Sequence, residues 1–526
     1  MHWKHYKALP LAEKLDESYY IIGLDIGNDS TGISYYNLYE NKPEAIDPSG
    51  GYGRPSIPTV AQYIPETKEW VFGEYALLNQ SGGTEVNIKA LIQRLGQFDY
   101  LEIDGKDVSV ANILGLFIKD LLASVRSINP RAEIAGIVAA IPAYMSQPAQ
   151  DELTRAFKLA GYEKELISLV PDRECILAHH FQNAPNPDSQ DEKVLLLDYG
   201  SREVRGGVYS IGADSKAKSL SSIFDASIGT SQIDDDVYAL FESYYLASGG
   251  AETAQDIAQL TAFFYQHKDI LFQKNIRSKP AKLYFNFVYP PFQQTVTNIE
   301  VDQLIGPYER LFNRFIVNTL EKTLPAEPKA ASHTPKLPRP LAPNDITTVI
   351  CTGGGFEMLW AREAVAELFA PSQINIYKNA KLVTTEGAAI VAAQILGVTI
   401  ARDISIEDNH QLLEDIGLKT DEDFLPLVEL GAFWWQKHQP TLVLVNSPVG
   451  GRLQLSVAKR TAMGEARQLA TWDLSGLPIR PKGTTRLKFD VNFNSDTDMI
   501  LSVEDLGFGE LFPKTSYTKE FALRLA

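Results

Sequence analysis

The same short unit occurs twice in this sequence, and that repetition constrains the fold more than any other feature. In the first copy an apolar run ends in the turn Asp25–Asp29, and a second β-rich run follows. In the second copy the apolar run Val194–Leu197 leads to Asp198 and Gly200, and a short strand resumes at Val208–Ile211. Each copy has the pattern of two strands joined by a tight turn. The repetition predicts two similar α/β units in one chain.

Strand and helix signals continue between and beyond the two copies. Ile134–Ile141 has the pattern of a buried strand, and Pro148–Ala160 that of a helix which Gly161 closes. A third glycine turn, Gly353–Gly355, follows the predicted strand Thr348–Cys351 and precedes an amphipathic helix. Strand, glycine turn and helix therefore form a third candidate site for backbone contact with a ligand.

Composition restricts the classes of partner. The 526 residues are 44% hydrophobic and 22% charged, which is the balance of an ordinary folded protein. This length is enough for about three domains. The formal net charge of -17 opposes a polyphosphate backbone, and no run of Lys and Arg residues offsets it locally. We therefore expect no nucleic-acid partner.

Cysteine usage and hydropathy indicate a compartment. Cys175 and Cys351 lie in apolar stretches, so no disulfide framework is expected and a reducing compartment fits best. Residues 1–18 contain no apolar run of the secretory type and are interpreted as an N-terminal extension. Charged residues beginning at Lys119 interrupt the most apolar stretch, Ile113–Val125, so no membrane span is expected. The predicted location is the cytoplasm.

Two further segments divide the chain. Residues 326–344 hold five prolines among Ser, Lys and His, a composition typical of a surface loop. Beyond the second unit helical periodicity fades, and alternating segments such as Leu442–Val445 predict a separate β domain. The predicted organisation is an extension over 1–18, a first lobe over 19–190, a second lobe over 191–400 that includes the loop, and a β domain over 401–526.

The residues at the turns indicate a chemistry. An Asp-x-Gly turn after a buried strand presents a carboxylate and free backbone N–H groups at one point, which suits a metal-bound phosphate. A single such turn is usually structural, but two in matching contexts, at Asp25 and Asp198, favour phosphate binding. The histidines are scattered without ligand spacing, and His179 and His180 are interpreted as surface or capping residues.

These motifs resemble those of a known superfamily. Gly23–Gly27 resembles the first phosphate motif of actins and heat-shock chaperones, Leu197–Gly200 resembles the second, and Thr352–Gly355 resembles the adenosine motif. Further segments are similar to the seventy-kilodalton heat-shock branch, and they are Lys89–Arg94, Ala140–Tyr144, Gly387–Ala389, Leu474–Pro478 and the region from Asp490 to Gly509. The last two resemble that family's substrate-binding sandwich, which sugar kinases and actins lack. The chain looks like a divergent, lidless member of the chaperone family.

The resemblance implies an α/β two-lobed, actin-like ATPase fold with duplicated ribonuclease-H-like lobes, followed by a C-terminal β-sandwich. It implies ATP or ADP and Mg²⁺ as cofactors, with Asp25 and Asp198 as the metal residues that hold a hydrated magnesium ion. The implied catalytic residues are Lys89 beside the γ-phosphate, Asp172 as the carboxylate, and Asp198. The remaining implied cofactor-binding residues are Gly27, Asn28, Asp29, Gly200, Ser201, Gly229, Lys274, Gly353, Gly354 and Gly355. No metal site beyond magnesium is expected.

Some positions depart from the family pattern. The second motif normally continues Gly-Gly-Thr, whereas this chain has Ser201–Glu203. Bulky side chains there crowd the phosphates, and Glu203 adds a like charge unless a nearby arginine, Arg202 or Arg205, compensates. The loop that arches over peptide in the family is apolar there and acidic here, at Asp421–Asp423.

Two functional interpretations remain open. The first is an ATP-binding, chaperone-like protein that hydrolyses ATP slowly and binds a protein or peptide partner through its β domain. The second is a catalytically degenerate pseudo-ATPase that acts as a scaffold, in which the altered turn Ser201–Glu203 has ended catalysis. A small-molecule kinase on the same fold is disfavoured by the terminal β domain. The client and the oligomeric state do not follow from the sequence.

Overall fold

The computed structural model has a mixed α/β architecture. It describes residues 19–49, 53–54, 56–78, 86–97, 99–128, 133–143, 145–162, 167–183, 192–212, 216–250, 253, 256–261, 263–264, 280–286, 291–321, 323, 340–377, 379–398, 405–407, 412, 414–420, 423–429, 432, 438–445, 452–460, 466–493 and 498–525. The predicted extension over 1–18, Lys274, and residues 326–339 of the predicted loop lie outside the described residues.

The elements are numbered here in chain order. The strands are β1 Tyr19–Ile26, β2 Ser30–Asn37, β3 Lys42–Ala45, β4 Ser56–Pro58, β5 Ala61–Ile64, β6 Glu69–Phe72, β7 Val86–Ile88, β8 Tyr100–Ile103, β9 Lys106–Ser109, β10 Glu133–Ile141, β11 Ile167–Pro171, β12 Glu192–Tyr199, β13 Val204–Ile211, β14 Lys216–Asp225, β15 Ala281–Phe285, β16 Phe292–Val296, β17 Thr348–Thr352, β18 Ile374–Ile376, β19 Ser405–Glu407, β20 Asp415–Lys419, β21 Phe424–Val428, β22 Thr441–Val445, β23 Arg452–Arg460, β24 Arg467–Ser475, β25 Thr485–Phe493, β26 Asp498–Asp505 and β27 Thr518–Arg524. The helices are α1 Gly73–Leu78, α2 Val110–Ile128, α3 Gln147–Leu159, α4 Asp172–Asn183, α5 Thr230–Ala247, α6 Asn298–Glu321, α7 Leu359–Leu368 and α8 Val383–Ile395.

The first large sheet is built around β1, whose apolar sequence YYIIGLDI is largely buried. The strand order is β11-β10-β1-β2-β3, and β4 pairs with the start of β2. The strands β1, β2 and β3 form an antiparallel meander, whereas β10 and β11 run parallel to β1. The crossover from β10 to β11 contains α3, which Ser146 caps by accepting a hydrogen bond from Ala149 N at 3.4 Å.

The second large sheet repeats this arrangement with β12 in the place of β1. Its strand order is β18-β17-β12-β13-β14-β19. The strands β12, β13 and β14 form an antiparallel meander, and β17 and β18 run parallel to β12. The last strand, β19, pairs with β14, so this sheet continues past the predicted lobe boundary at residue 400. The repeated unit predicted from the sequence is therefore present as two sheets of matching topology.

Two helices join the two sheets. The residues Cys175 and Ala178 of α4 pack with α8 and the first sheet, whereas Ile176 of the same helix packs with the second sheet. The approach of α8 to α4 is close, because a Cβ atom on Gly387 would lie 1.8 Å from Cys175 O. The two lobes therefore share their connecting helices, and the position of α4 depends on both.

The position of α4 corrects one prediction. His179 and His180, interpreted as surface or capping residues, are each only 5% exposed. His179 Nε2 is hydrogen-bonded to Glu386 Oε2 at 2.9 Å, and His180 Nδ1 to Tyr377 Oη at 2.9 Å. The surface interpretation is wrong because α4 lies between both lobes, where both of its faces are covered.

The C-terminal β domain consists of two four-stranded antiparallel sheets. Their orders are β21-β20-β23-β24 and β22-β25-β26-β27. Apolar residues of both, such as Val457 on β23 and Phe489 on β25, belong to one core. The alternating pattern from which these strands were predicted reflects one buried and one outward face. The prediction of strands over this region is confirmed.

Most other local predictions are confirmed as well. The predicted strand over Ile134–Ile141 is β10, the predicted helix is α3, and the predicted strand Thr348–Cys351 is β17, which a short 3₁₀ helix links to α7. The strand expected from Val208 begins earlier, because Val204 already pairs with Tyr199 of β12. In the part of the chain that the structure describes, no helix is long and apolar enough to cross a membrane.

Candidate functional site

Three glycine-containing turns meet at one cavity of about 650 Å³, which we call the cleft. The first turn joins β1 to β2, the second joins β12 to β13, and the third follows β17. Because they come from both large sheets, the cleft lies between the lobes. The predicted site residues that line it are Asp25, Gly27, Asn28, Asp29, Asp172, Asp198, Gly200, Ser201, Gly353 and Gly354. Cofactor sites commonly have volumes of about 300–1,000 Å³.

The two hairpin turns have the same internal geometry. Gly27 N donates to Ser30 O at 3.1 Å, and Gly200 N donates to Glu203 O at 2.9 Å. In each turn the two residues after the glycine line the cleft, and their backbone N–H groups donate to no other described residue. Phosphate oxygens accept hydrogen bonds from N–H groups that are left unused at such a turn. The two turns are therefore equivalent candidates for phosphate contact.

The second turn closes without backbone strain. Ser201–Glu203 was expected to be crowded because bulky residues replace glycines there. None of these three residues has a positive φ, so the turn needs no left-handed conformation at that point. The side chains still occupy space that glycines would leave open, and Arg202 extends across the cleft to Gln93 Oε1 of the first lobe.

The third turn requires glycine at its first position. Gly353 has a φ of 87°, in the left-handed region that other residues rarely adopt. A Cβ atom there would lie 2.5 Å from Tyr199 O and 2.6 Å from Asp198 Oδ1. Gly353 therefore lets the turn after β17 approach the end of β12, so that the second and third turns form one wall of the cleft.

Seven carboxylates line the cleft, and we call four of them, Asp25, Asp172, Asp198 and Glu203, the acid cluster. One guanidinium is shared among three of them. Arg205 Nη1 forms a close ion pair with Asp172 Oδ2 and lies 3.4 Å from Asp198 Oδ2. Arg205 Nε donates to Glu203 Oε1 at 2.7 Å. The sequence analysis required a compensating arginine for Glu203, and Arg205 provides it.

The charges of the acid cluster are only partly balanced. Burial raises the pKa of Asp25 to about 6, against the opposing effect of the Arg205 charge. Burial likewise raises the pKa of Asp198 to about 7, and the negative charges of Asp25 and Glu203 add to the increase. The cluster is thus stabilised by one guanidinium and by partial protonation of Asp25 and Asp198 near neutral pH.

Three of the predicted site residues that the structure describes do not line the cleft. Lys89 is exposed and does not line the cleft, although its segment reaches the rim through Gln93, whose N donates to Asn28 Oδ1 at 3.0 Å. Gly229 directly precedes α5, and Gly355 lies against the ring of Tyr199. Lys274 lies outside the described residues. The predicted lysine beside the γ-phosphate therefore has no counterpart at position 89 in this conformation.

Sequence reasoning missed two basic residues that line the cleft, Arg362 and Lys381, which contribute positive charge beside the third turn. It named Arg205 only as a possible counter-charge for Glu203 and missed its pairing with Asp172 and Asp198. For Arg205 a signal was present, since a hairpin closed by the turn after Gly200 places residues 198 and 205 opposite each other. Lys381 comes from a distant segment, and no local pattern indicates its approach to Gly354.

The geometry also bears on the predicted magnesium ion. Asp25 and Asp198 line the cleft as the prediction requires. Magnesium demands near-octahedral oxygen coordination at about 2.0–2.1 Å. Among the described residues, no group of three or more His, Cys, Asp or Glu side chains is placed to hold a metal ion. Because Arg205 already lies against Asp198 and Asp172, the residues fit a directly coordinated magnesium ion poorly.

Two family models match this chain. A model described as the C-terminal part of a family of unknown function (DUF5716) matches residues 42–232, which run from β3 to the start of α5. A model described as a domain of unknown function (DUF8552) matches residues 411–525, which contain β20 to β27. This first match includes the second hairpin turn but not the first, since β1 and the turn after it precede residue 42. Neither description names an activity.

Proposed function

We propose that this chain is a cytoplasmic, ATP-binding, chaperone-like protein of the actin-like fold, in which ATP or ADP binds in the cleft and turnover is slow or absent. The observation that carries the proposal is the pairing of the two hairpin turns. They end equivalent strands of two sheets with matching topology, have the same Gly N to i+3 O hydrogen bond, and line one cavity. Two opposing sets of backbone donors suit a polyphosphate.

Cationic side chains beside the acid cluster support an anionic ligand there. Arg202, Arg362 and Lys381 line the cleft outside the acid cluster, together with the carboxylates Asp29, Asp234 and Glu357. Lys381 Nζ lies 3.7 Å from Glu357 Oε2, so its charge is only partly compensated, and the lysine side chain lies beside Gly354 of the third turn. A nucleotide that spans from the third turn to the hairpins would contact these cations along its length.

The arrangement of the acid cluster favours binding over hydrolysis. Asp172, the predicted catalytic carboxylate, is ion-paired with Arg205. Lys89 does not line the cleft. An in-line attack needs a catalytic carboxylate and a lysine positioned beside the attacking water and the γ-phosphate. Neither Asp172 nor Lys89 has such a position here. The pseudo-ATPase interpretation is therefore favoured over efficient turnover, and slow hydrolysis remains the alternative.

The binding proposal is tested by calorimetric titration of the full chain with ATP and with ADP. Ser201→Trp places a large side chain in the second turn and should weaken nucleotide binding by roughly tenfold or more. Ser243→Trp is the matched control, because Ser243 lies on the outward part of α5 and does not line the cleft. Wild-type protein that is folded and gives no heat up to millimolar ATP would refute the proposal.

A single-turnover measurement separates the two functional interpretations. If Arg205 keeps Asp172 from the attacking water, bound ATP should persist with no hydrolysis above that of free ATP. Hydrolysis that proceeds in the wild type and is lost in Asp172→Asn would instead support the slow chaperone-like ATPase.

The proposed partner is a protein or peptide segment bound by the β domain. Strand β22 pairs with β25 on one side and with no described strand on the other. Its outward residues Leu442 and Leu444 are 57% and 55% exposed. An unpaired edge with exposed apolar side chains suits an added extended segment. Leu442→Lys should reduce binding to arrays of extended apolar peptides. The control is Leu511→Lys, because Leu511 is exposed and lies between β26 and β27, outside β22. Equal binding by both variants would exclude this edge.

A further inference from the structure

The position of Arg205 is fixed by the backbone. In the antiparallel pair β12–β13, Arg205 lies directly opposite Asp198. Directly paired residues in such a ladder have their Cβ atoms about 4.5–5.5 Å apart and point to the same face of the sheet. Glu203 lies two residues before Arg205 and extends the same row. The register of the β12–β13 pair, and not a mobile surface loop, therefore places the guanidinium at the acid cluster.

The contacts of Arg205 are those of a resident counter-ion. Its side chain is only 26% exposed, and it contacts carboxylates through both Nη1 and Nε. The pair with Asp172 crosses from the second sheet to the start of α4, so one group neutralises residues of both lobes. Removing such a group would leave buried carboxylates without compensation, which is strongly unfavourable.

The acid cluster without this guanidinium would have the composition of a divalent-cation site. Asp25, Asp172, Asp198 and Glu203 are hard oxygen ligands of the kind that Mg²⁺ and Mn²⁺ take. With Arg205 in place, these side chains are not arranged to hold a metal ion. We infer that Arg205 is the resident cation of the cleft: it occupies the position that a divalent ion would take, and it makes ligand binding there independent of a divalent ion.

The first experiment concerns the ion alone and does not depend on nucleotide binding. Mn²⁺ is titrated into the full chain and followed by electron paramagnetic resonance. Wild-type protein should show only weak surface binding that Asp198→Asn leaves unchanged. Arg205→Gln should gain one Mn²⁺ site at least tenfold tighter, and that site should be lost again when Asp198→Asn is added. Arg205→Lys, which keeps the charge, should gain no site.

The matched control is Arg202→Gln, which removes a positive charge from the same turn without touching the acid cluster and should gain no Mn²⁺ site. A wild-type site that disappears in Asp198→Asn would overturn the inference, and so would a folded Arg205→Gln variant that gains no site. If Arg205→Gln does not fold, the comparison of wild type with Asp198→Asn still decides the question.

The second experiment rests on the proposed function. Wild-type affinity for ATP should differ by less than threefold between buffers containing Mg²⁺ and EDTA. Arg205→Gln should bind ATP at least tenfold more weakly in EDTA than in Mg²⁺. If wild-type ATP binding is lost in EDTA, the inference about Arg205 is overturned but the proposed nucleotide binding stands. If ATP does not bind in either buffer, the proposed function is refuted. The Mn²⁺ titration then tests the inference about Arg205 independently.

Discussion

Replacing Arg480 with methionine should destabilise the β domain strongly and selectively. Arg480 is 5% exposed at its side chain, and Asp505, its partner, is fully buried. The guanidinium donates to Asp505 Oδ1 at 2.7 Å and to Oδ2 at 2.8 Å. It also donates to Pro513 O at 2.8 Å. Arg480→Met keeps much of the apolar stem but leaves the carboxylate without its counter-charge.

The magnitude follows from the donors that remain. Removing one partner of a buried ion pair typically costs about 3–5 kcal/mol. Asp505 would retain hydrogen bonds from Gly507 N at 3.0 Å and from Thr515 Oγ1 at 2.7 Å. These limit the loss, so we expect a value near the lower end, about 3 kcal/mol, which corresponds to roughly a 150-fold change in the opening equilibrium.

Hydrogen exchange of the full chain measures this change where it arises. Amides of β26 in Arg480→Met should exchange roughly 150-fold faster than in the wild type, while those of the two large sheets should be unaffected. Lys514→Met is the control, because Lys514 forms an exposed pair with Glu504 whose loss should cost less than about 1 kcal/mol. Equal effects of the two variants would refute the reasoning.

The same carboxylate predicts a pH dependence. Burial acts to raise the pKa of Asp505, but hydrogen bonds from Arg480 and Thr515 outweigh it and lower the pKa from 3.8 to about 2. Because the folded state holds the charged form, the pair stabilises the domain above pH 3.8 and loses this contribution, about 2 kcal/mol, as the pH falls towards 2. Asp505→Asn should lack this acid-dependent loss, and an identical loss in variant and wild type would contradict the assignment.

The remaining predictions concern the packing of the two lobes. Gly387→Ala should cost about 1–3 kcal/mol in thermal unfolding, because the added Cβ would lie 1.8 Å from Cys175 O. The control is Gly306→Ala in α6, whose added Cβ would lie 3.5 Å from Arg310 Nη1 and which should be neutral or stabilising by up to about 1 kcal/mol. Similar losses in both variants would refute the close-packing argument. Burial raises the pKa of both Cys175 and Cys351, so neither thiol of the native protein should react with a thiol-specific disulfide reagent at pH 8. Unfolded protein should react at both cysteines and release two equivalents of the reagent's thiolate. Rapid reaction of the native protein would contradict the burial of these residues.

Local features of the fold were predictable because their signals are local. The strand β10 is a continuous apolar run, and the start of α3 is marked by Ser146 and Pro148. The repeated Asp-x-Gly turn indicated two equivalent units, and the structure places those turns on equivalent strands. These inferences need only the period of the apolar residues and the chemistry of turns and caps.

What could not be predicted depends on contacts between distant segments. The ion pair of Arg205 with Asp172 joins two lobes, and only the opposition of Arg205 to Asp198 could have been derived from hairpin register. Lys89 was assigned to the site because its segment resembles the chaperone family. The backbone turns at Ala90, whose φ is 53°, just before the 3₁₀ helix that reaches the rim, and Lys89 lies outside the cleft. His179 was misread because burial of α4 depends on both sheets.

Hydrogen exchange of the full chain in the presence and absence of ATP tests the central claim most directly. The account predicts slower exchange at saturating ATP in peptides from all three turns, 25–30, 200–205 and 353–358, because their residues line one cleft. Protection should be absent from β22 to β27 unless the domains are coupled. Unchanged exchange in all three turns at millimolar ATP would contradict the claim that these turns form one nucleotide-binding site.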